Sequence, residues 1–351
     1  MKKVIMMGIV FIIIALWGVG AVAEELTAPK ITSLPYSDPG VIKYKYANGD
    51  VDNYTMSMKM DSKTNVQEGS QSLDISIYMD LRLGMGTKCT SDANSYKLEA
   101  IFSDLKMKQN MNFGGILVDL VVDNDRLKAY KDGTLIADTT AGIGEALAKD
   151  FFKEVNFFNK KGTFTMDANG MLIGKIEGDP EFVKFFEKNQ EPGIFPLVFK
   201  NLASPKQNDS WGVDTEIKEI ESISFEKPIK STSTFKVEGL ANVGDTQCLN
   251  ISFNAPLDLK DMNITMKNEA SPIKMKMSTM NRTMSGRLYF NTKDGRFTYG
   301  DIDGSVTLKC TTKDPDTKKD MAVKCDIKLD IIFLRDVPKT DHAPAASAGG
   351  N

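Results

Sequence analysis

From Ser72 to Leu83 the chain alternates without a break. Leu73, Ile75, Ile77, Met79, Leu81 and Leu83 share one parity; Ser72, Asp74, Ser76, Tyr78, Asp80 and Arg82 share the other. Successive side chains of a strand point to opposite faces of a sheet, so this rhythm predicts a strand with one buried and one wet face. Residues 323–333 repeat it, with Val323, Cys325, Ile327, Leu329, Ile331 and Phe333 inward and Lys324, Asp326, Lys328 and Asp330 outward. Two methionine ladders keep the same rule. Tyr54, Met56, Met58 and Met60 oppose Thr55, Ser57, Lys59 and Asp61, and Ile273, Met275 and Met277 oppose Lys274, Lys276 and Ser278. Alternation this clean marks antiparallel sheet with one solvated side rather than parallel α/β sheet. The predicted fold class is mainly β with a few helices, built as two related antiparallel β-sheet halves in the form of a curved sheet, half-barrel or sandwich.

Glycine punctuation supports the division into halves. Residues 162–178 and 286–304 each open on glycine, turn at Asn169-Gly170 or Asp294-Gly295, and close on a similar pentad, GKIEG or GDIDG. Asn-Gly and Asp-Gly between alternating runs are strong hairpin signals, because glycine tolerates the positive φ of tight turns. Upstream of each hairpin, Cys89–Lys108 and Cys248–Lys267 echo one another. The predicted units are residues 24–211 and 212–335. The first carries an insertion with helical periodicity near 143–156, where Ile143, Leu147, Phe151 and Val155 form a single stripe. A second helix is predicted near 180–189, with Asp179 as cap, Pro180 in the first turn, Glu181 at the positive end of the dipole, and Phe182, Val183, Phe185 and Phe186 as its apolar face. A third short segment, 194–202, is broken by Pro196. These helices are expected to cover the open side of the first sheet, with gating or lining a cavity as the alternative.

The ends set the compartment. Lys2 and Lys3 precede an unbroken apolar run, and Ala21-Val22-Ala23 supplies a cleavage pattern before Glu24. Residues 1–23 therefore read as a signal peptide, with an uncleaved anchor as the alternative. No transmembrane span is expected after cleavage. Residues 336–351 read as a disordered tail holding His342, the only histidine. The net charge is −3. Such mild acidity excludes nucleic acid as the natural partner, since phosphate binding needs a concentrated basic face.

Four cysteines in an exported chain permit disulfides. A hairpin pairing Val306 with Leu329 and Leu308 with Ile327 would set Cys310 opposite Cys325. Closing that loop of about fifteen residues is worth roughly 3 kcal/mol in the chain-entropy model. Cys89 with Cys248 is the pair that remains.

The stretches YKYANGD (44–50), GTFTMDANGMLIGKIEG (162–178) and NDSWG (208–212) together resemble an exported bacterial protein family of unknown function. Its members are β-rich, with a central Asp-Ser-Trp and glycine hairpins. Asp209-Ser210-Trp211 matches, while Asn208 stands where glycine is usual. The resemblance implies a bacterial envelope setting, periplasmic or extracellular, and a boundary near Trp211. It implies no activity and no catalytic residue.

Chemistry is sparse. Acid–base or nucleophilic catalysis usually needs a histidine, a reactive cysteine or a carboxylate pair in a cleft, and the sequence offers none in a convincing setting. The chain reads as non-enzymatic, without catalytic residues, cofactor or dedicated metal site. Two functions survive. The first is binding of a lipid or other apolar molecule against a wall of Met56, Met58, Met60, Ile75, Ile77, Met275 and Met277, since thioethers adapt to irregular apolar surfaces. The second is a structural or protein-interaction module with a solid core. Cu(I) held by Met-x-Met pairs is a third, lesser reading. The oligomeric state is not encoded in any feature of the sequence.

Overall fold

The structure is a computed structural model that describes residues 26–91, 95–188, 204–220, 223–266, 273–313 and 319–336. The expected signal peptide, the segment 194–202 and the tail with His342 lie outside the described residues.

Sixteen strands join in antiparallel pairs into a single sheet. In chain order they are β1 (Ile31–Leu34), β2 (Val51–Glu68), β3 (Gln71–Ser91), β4 (Tyr96–Phe113), β5 (Ile116–Asp123), β6 (Arg126–Lys131), β7 (Thr134–Asp138), β8 (Lys161–Met166), β9 (Leu172–Gly178), β10 (Ser210–Ile220), β11 (Ile223–Val243), β12 (Thr246–Asn254), β13 (Leu257–Met266), β14 (Ile273–Asn291), β15 (Arg296–Lys313) and β16 (Asp320–Arg335). Two short helices interrupt them, α1 (Glu145–Glu154) and α2 (Pro180–Lys188). No helix among the described residues is long and apolar enough to cross a membrane, which says nothing about crossing by strands.

The main path runs β1-β11-β12-β14-β15-β16-β2-β3-β4-β5-β6-β7. Its centre is the pairing of β16 with β2, in register from Met321 opposite Glu68 to Arg335 opposite Tyr54. The stretches expected to form two units are therefore continuous across one hydrogen-bonded seam. Beyond β14 the sheet closes locally: β11 and β14 each pair with both β12 and β13, making a ring of four strands. The chain passes from β12 to β13 at Ala255, whose backbone exchanges hydrogen bonds of 2.7 and 3.3 Å with Met284.

Alternation predicts the buried face correctly. Ile75, Ile77, Met79, Leu81 and Leu83 are buried, as are Val323, Cys325, Ile327 and Leu329. Both glycine stretches form antiparallel hairpins, β8–β9 and β14–β15. Trp211 is buried in β10 and stacks on Phe235 with ring centroids 5.3 Å apart. Asn208, at φ 73°, occupies the left-handed region that glycine tolerates best and that asparagine visits more readily than most residues.

Two expectations are corrected. Only the second half of the stripe Ile143–Leu147–Phe151–Val155 faces inward: Ile143 and Leu147 are exposed, Phe151 is half-buried and Val155 is buried, with Ala148 buried beside them. Ile143 precedes the helix and is held in a bridge to Asp138, so it is not part of the helical face. In α2, Phe182 is fully buried, while the Asp179 carboxylate accepts a hydrogen bond from Lys161 N (2.7 Å). The side chains of Phe185 and Phe186 lie outside the described set.

The second correction concerns the cysteines. Cys310 pairs with Val323, and Cys325 with Leu308, two residues away from the expected register. A two-residue step keeps every side chain on its face, so alternation cannot distinguish the two registers. All four cysteines are buried free thiols. Cys89 belongs to the main core and Cys248 to a smaller cluster with Tyr289 and Tyr299, so those two are not brought together either.

Candidate functional site

The residues of the expected ligand wall lie on the inward face of the sheet, with Met56 half-buried and the others buried. Met56, Met58 and Met60 lie opposite Leu83, Leu81 and Met79 on β3, and opposite Phe333, Ile331 and Leu329 on β16. Ile75 and Ile77 continue the same face. Met275 and Met277 sit on β14, separated from β2 by β15 and β16. Met60 is 1% exposed and Met277 0%, and both belong to the one main core cluster. Polar groups share this interior. Thr64 donates to Cys325 Sγ (3.2 Å), and Gln109, in register with Met79, keeps a buried Nε2 without a hydrogen-bond partner.

The thiols are chemically quiet. Burial, then the neighbouring Cys325, pushes the Cys310 thiol up to about 12. Burial raises Cys248 to about 11 against a hydrogen bond to Thr298. A thiol held above its ordinary range stays protonated and is a poor nucleophile. The unfolded chain releases such protons first. This contribution to stability is therefore fully present below the ordinary thiol pKa of about 8.5 and is lost as pH climbs towards about 11 and about 12. Native protein at neutral pH is expected to react slowly with a thiol-specific disulfide reagent, and denatured protein at all four positions. A lower titre after denaturation would reveal a disulfide.

The open site lies at the end of the sheet where four segments meet: residues 43–52 leading into β2, the start of β4 at Tyr96, the β14–β15 turn, and the end of β16. The turn is built by its own residues. Asn291 Oδ1 accepts from Lys293 N (2.9 Å), and Gly295 N donates to Asn291 O (2.9 Å). Gly295 has φ 69°, and a Cβ there would lie 2.5 Å from Lys45 N. Glycine is required both by the turn and by the close crossing of the 43–45 segment. Asp50 folds the entering chain by accepting from Ala47 N (2.8 Å).

At the crossing a buried ion cluster ties the segments together. Arg296 donates from Nε to Asp52 Oδ2 (2.8 Å) and from Nη2 to Asp50 Oδ2 (2.7 Å). Arg335 pairs with Asp52 Oδ1 (2.6 Å) and Asp294 Oδ2 (2.7 Å). Asp52, with its side chain 1% exposed, thus bridges two guanidinium groups that are 4% and 10% exposed. Burial works against the Arg335 charge, but Asp52 and Asp294 outweigh it and raise its pKa above the ordinary value. The Arg296 guanidinium lies 3.4 Å over the Tyr46 ring, a cation–π contact. Burial, and secondarily the Asp52 charge, keep the Tyr46 phenol well above its usual range. Tyr46 and Tyr96 are 5.3 Å apart, and Tyr96 donates to Tyr44 O (2.9 Å). The resulting cleft has a volume of about 750 Å³.

No protein-family model and no curated protein matches the chain. Among solved structures it is aligned with DynF from the dynemicin biosynthesis pathway of Micromonospora chersina, at 8% identity and TM-score 0.19, covering 90% of this chain and 92% of that one. The P. putida toluene transporter TodX aligns at 7% identity and TM-score 0.18, covering 83% and 90%. The translocator domain of autotransporter NalP from Neisseria meningitidis aligns at 7% and 0.18, covering 82% and 89%. At these TM-scores the alignments carry no argument about fold or function.

Sequence reasoning missed the clasp, although a signal was present. Asp52 continues the oily parity of Tyr54, Met56 and Met58, and Arg335 that of Ile331 and Phe333. Opposite charges on the buried parity of two strands are the pattern a buried ion pair leaves.

Proposed function

We propose that this is an exported, non-enzymatic protein of the bacterial envelope, periplasmic or extracellular, that works as an interaction scaffold. The observation that supports it best is the burial of Met58, Met60, Met275 and Met277 in one continuous core, which favours a filled interior and directs attention to the outer face and the end cleft as working surfaces. The quiet thiols agree with a role that involves no covalent chemistry. The apolar-ligand reading keeps one specific support: the unpartnered Gln109 amide on the methionine face is a donor that a bound lipid ester could satisfy.

Native mass spectrometry of protein purified gently from its own host separates these readings. The scaffold reading expects the bare chain mass. A co-purified lipid would replace it with the carrier reading, and stoichiometric copper would restore the thioether metal site.

A further inference from the structure

We propose that the cleft at the clasp binds a small organic dianion, of the class of a phosphate monoester carrying a ring. Its volume of about 750 Å³ is in the range of small-molecule sites, roughly 300–1,000 Å³. Five cationic and three anionic side chains line it, a local positive excess on a chain whose net charge is −3. The aspartates are already engaged by the two arginines. The excess therefore falls to Lys43, Lys45 and Lys293, none of them ion-paired among the described residues.

One donor is held in place and unspent. Lys45 Nζ donates to Thr292 O (2.6 Å) and Lys293 O (3.2 Å). An ammonium has three protons, so one remains on a group whose position is fixed. Tyr46 and Tyr96 supply the apolar wall that a ring needs. A cation is disfavoured because the deepest carboxylate, Asp52, already spends an oxygen on each arginine. The inference deepens the scaffold reading, which takes the end cleft as a working surface; a failed titration would overturn the inference alone, while that reading is tested by native mass spectrometry.

Calorimetric titration of the whole exported chain with phenyl phosphate tests it, with phenol and inorganic phosphate as comparisons. Lys43 and Lys293 are exposed, so the double variant Lys43→Ala, Lys293→Ala should fold, and circular dichroism checks that. Saturable binding of phenyl phosphate is expected, weakened about tenfold or more in the double variant, with no binding of phenol. Three results would overturn the proposal: no saturable heat at millimolar phenyl phosphate, unchanged affinity in the folded double variant, or inorganic phosphate binding as tightly as the ester.

Discussion

Replacing Asp52 with alanine is expected to cost about 3–5 kcal/mol of stability, because it leaves two guanidinium groups buried around a missing carboxylate. The intact cluster is not a large net source of stability, since desolvating these charges offsets most of their attraction. Its removal in part is what is expensive. Asp50→Asn is the control: Asp50 is 41% exposed and touches only Arg296 of the pair, and an amide oxygen can still accept from Ala47 N, so the change should cost about 1 kcal/mol or less. Urea unfolding followed by circular dichroism measures both. Equal, small effects for the two variants would mean that Asp52 does not hold the crossing segments together.

Phe182→Ala is expected to cost about 3–5 kcal/mol, the range for deleting a buried aromatic ring. Phe182 is the anchor of α2 on the sheet, stacked on Phe102 with centroids 5.6 Å apart, and Phe102 in turn meets Phe157 edge-on at 5.6 Å. The ring occupies the space a side chain at position 162 would need: a Cβ on Gly162 would lie 1.9 Å from Phe182 Cδ1. Gly162→Ala alone should therefore destabilise by about 1–3 kcal/mol through overpacking. In the Phe182→Ala background the same methyl enters the vacated space, so the double variant should be more stable than the sum of the singles predicts. Strict additivity would show that ring and glycine are not in contact.

Both results depend on features that were unequally legible in the sequence. The inward parity of β2, β3 and β16 could be read directly, because burying one face demands a two-residue rhythm. Parity does not fix register, and the cysteine pairing failed on a two-residue slip that leaves every face unchanged. The α1 stripe failed at Ile143 for a different reason: the backbone bridge between Asp138 and Ile143 takes Ile143 out of the helix, and periodicity has no access to such a tertiary bond. The clasp sat in plain view as charge on the oily parity at Asp52 and Arg335. Its third element, the Asp294-Gly295-Arg296 turn, is remote in sequence from residues 43–52, and only the crossing of segments brings them together.

The seam between β16 and β2 has a consequence for assembly. β16 follows every other strand, so the middle of the sheet cannot zip shut until nearly all of the described chain has been synthesised. Contacts between such distant segments form slowly, since a long loop must close before they yield any return. Until then β2 presents an unpaired margin to whatever lies nearby.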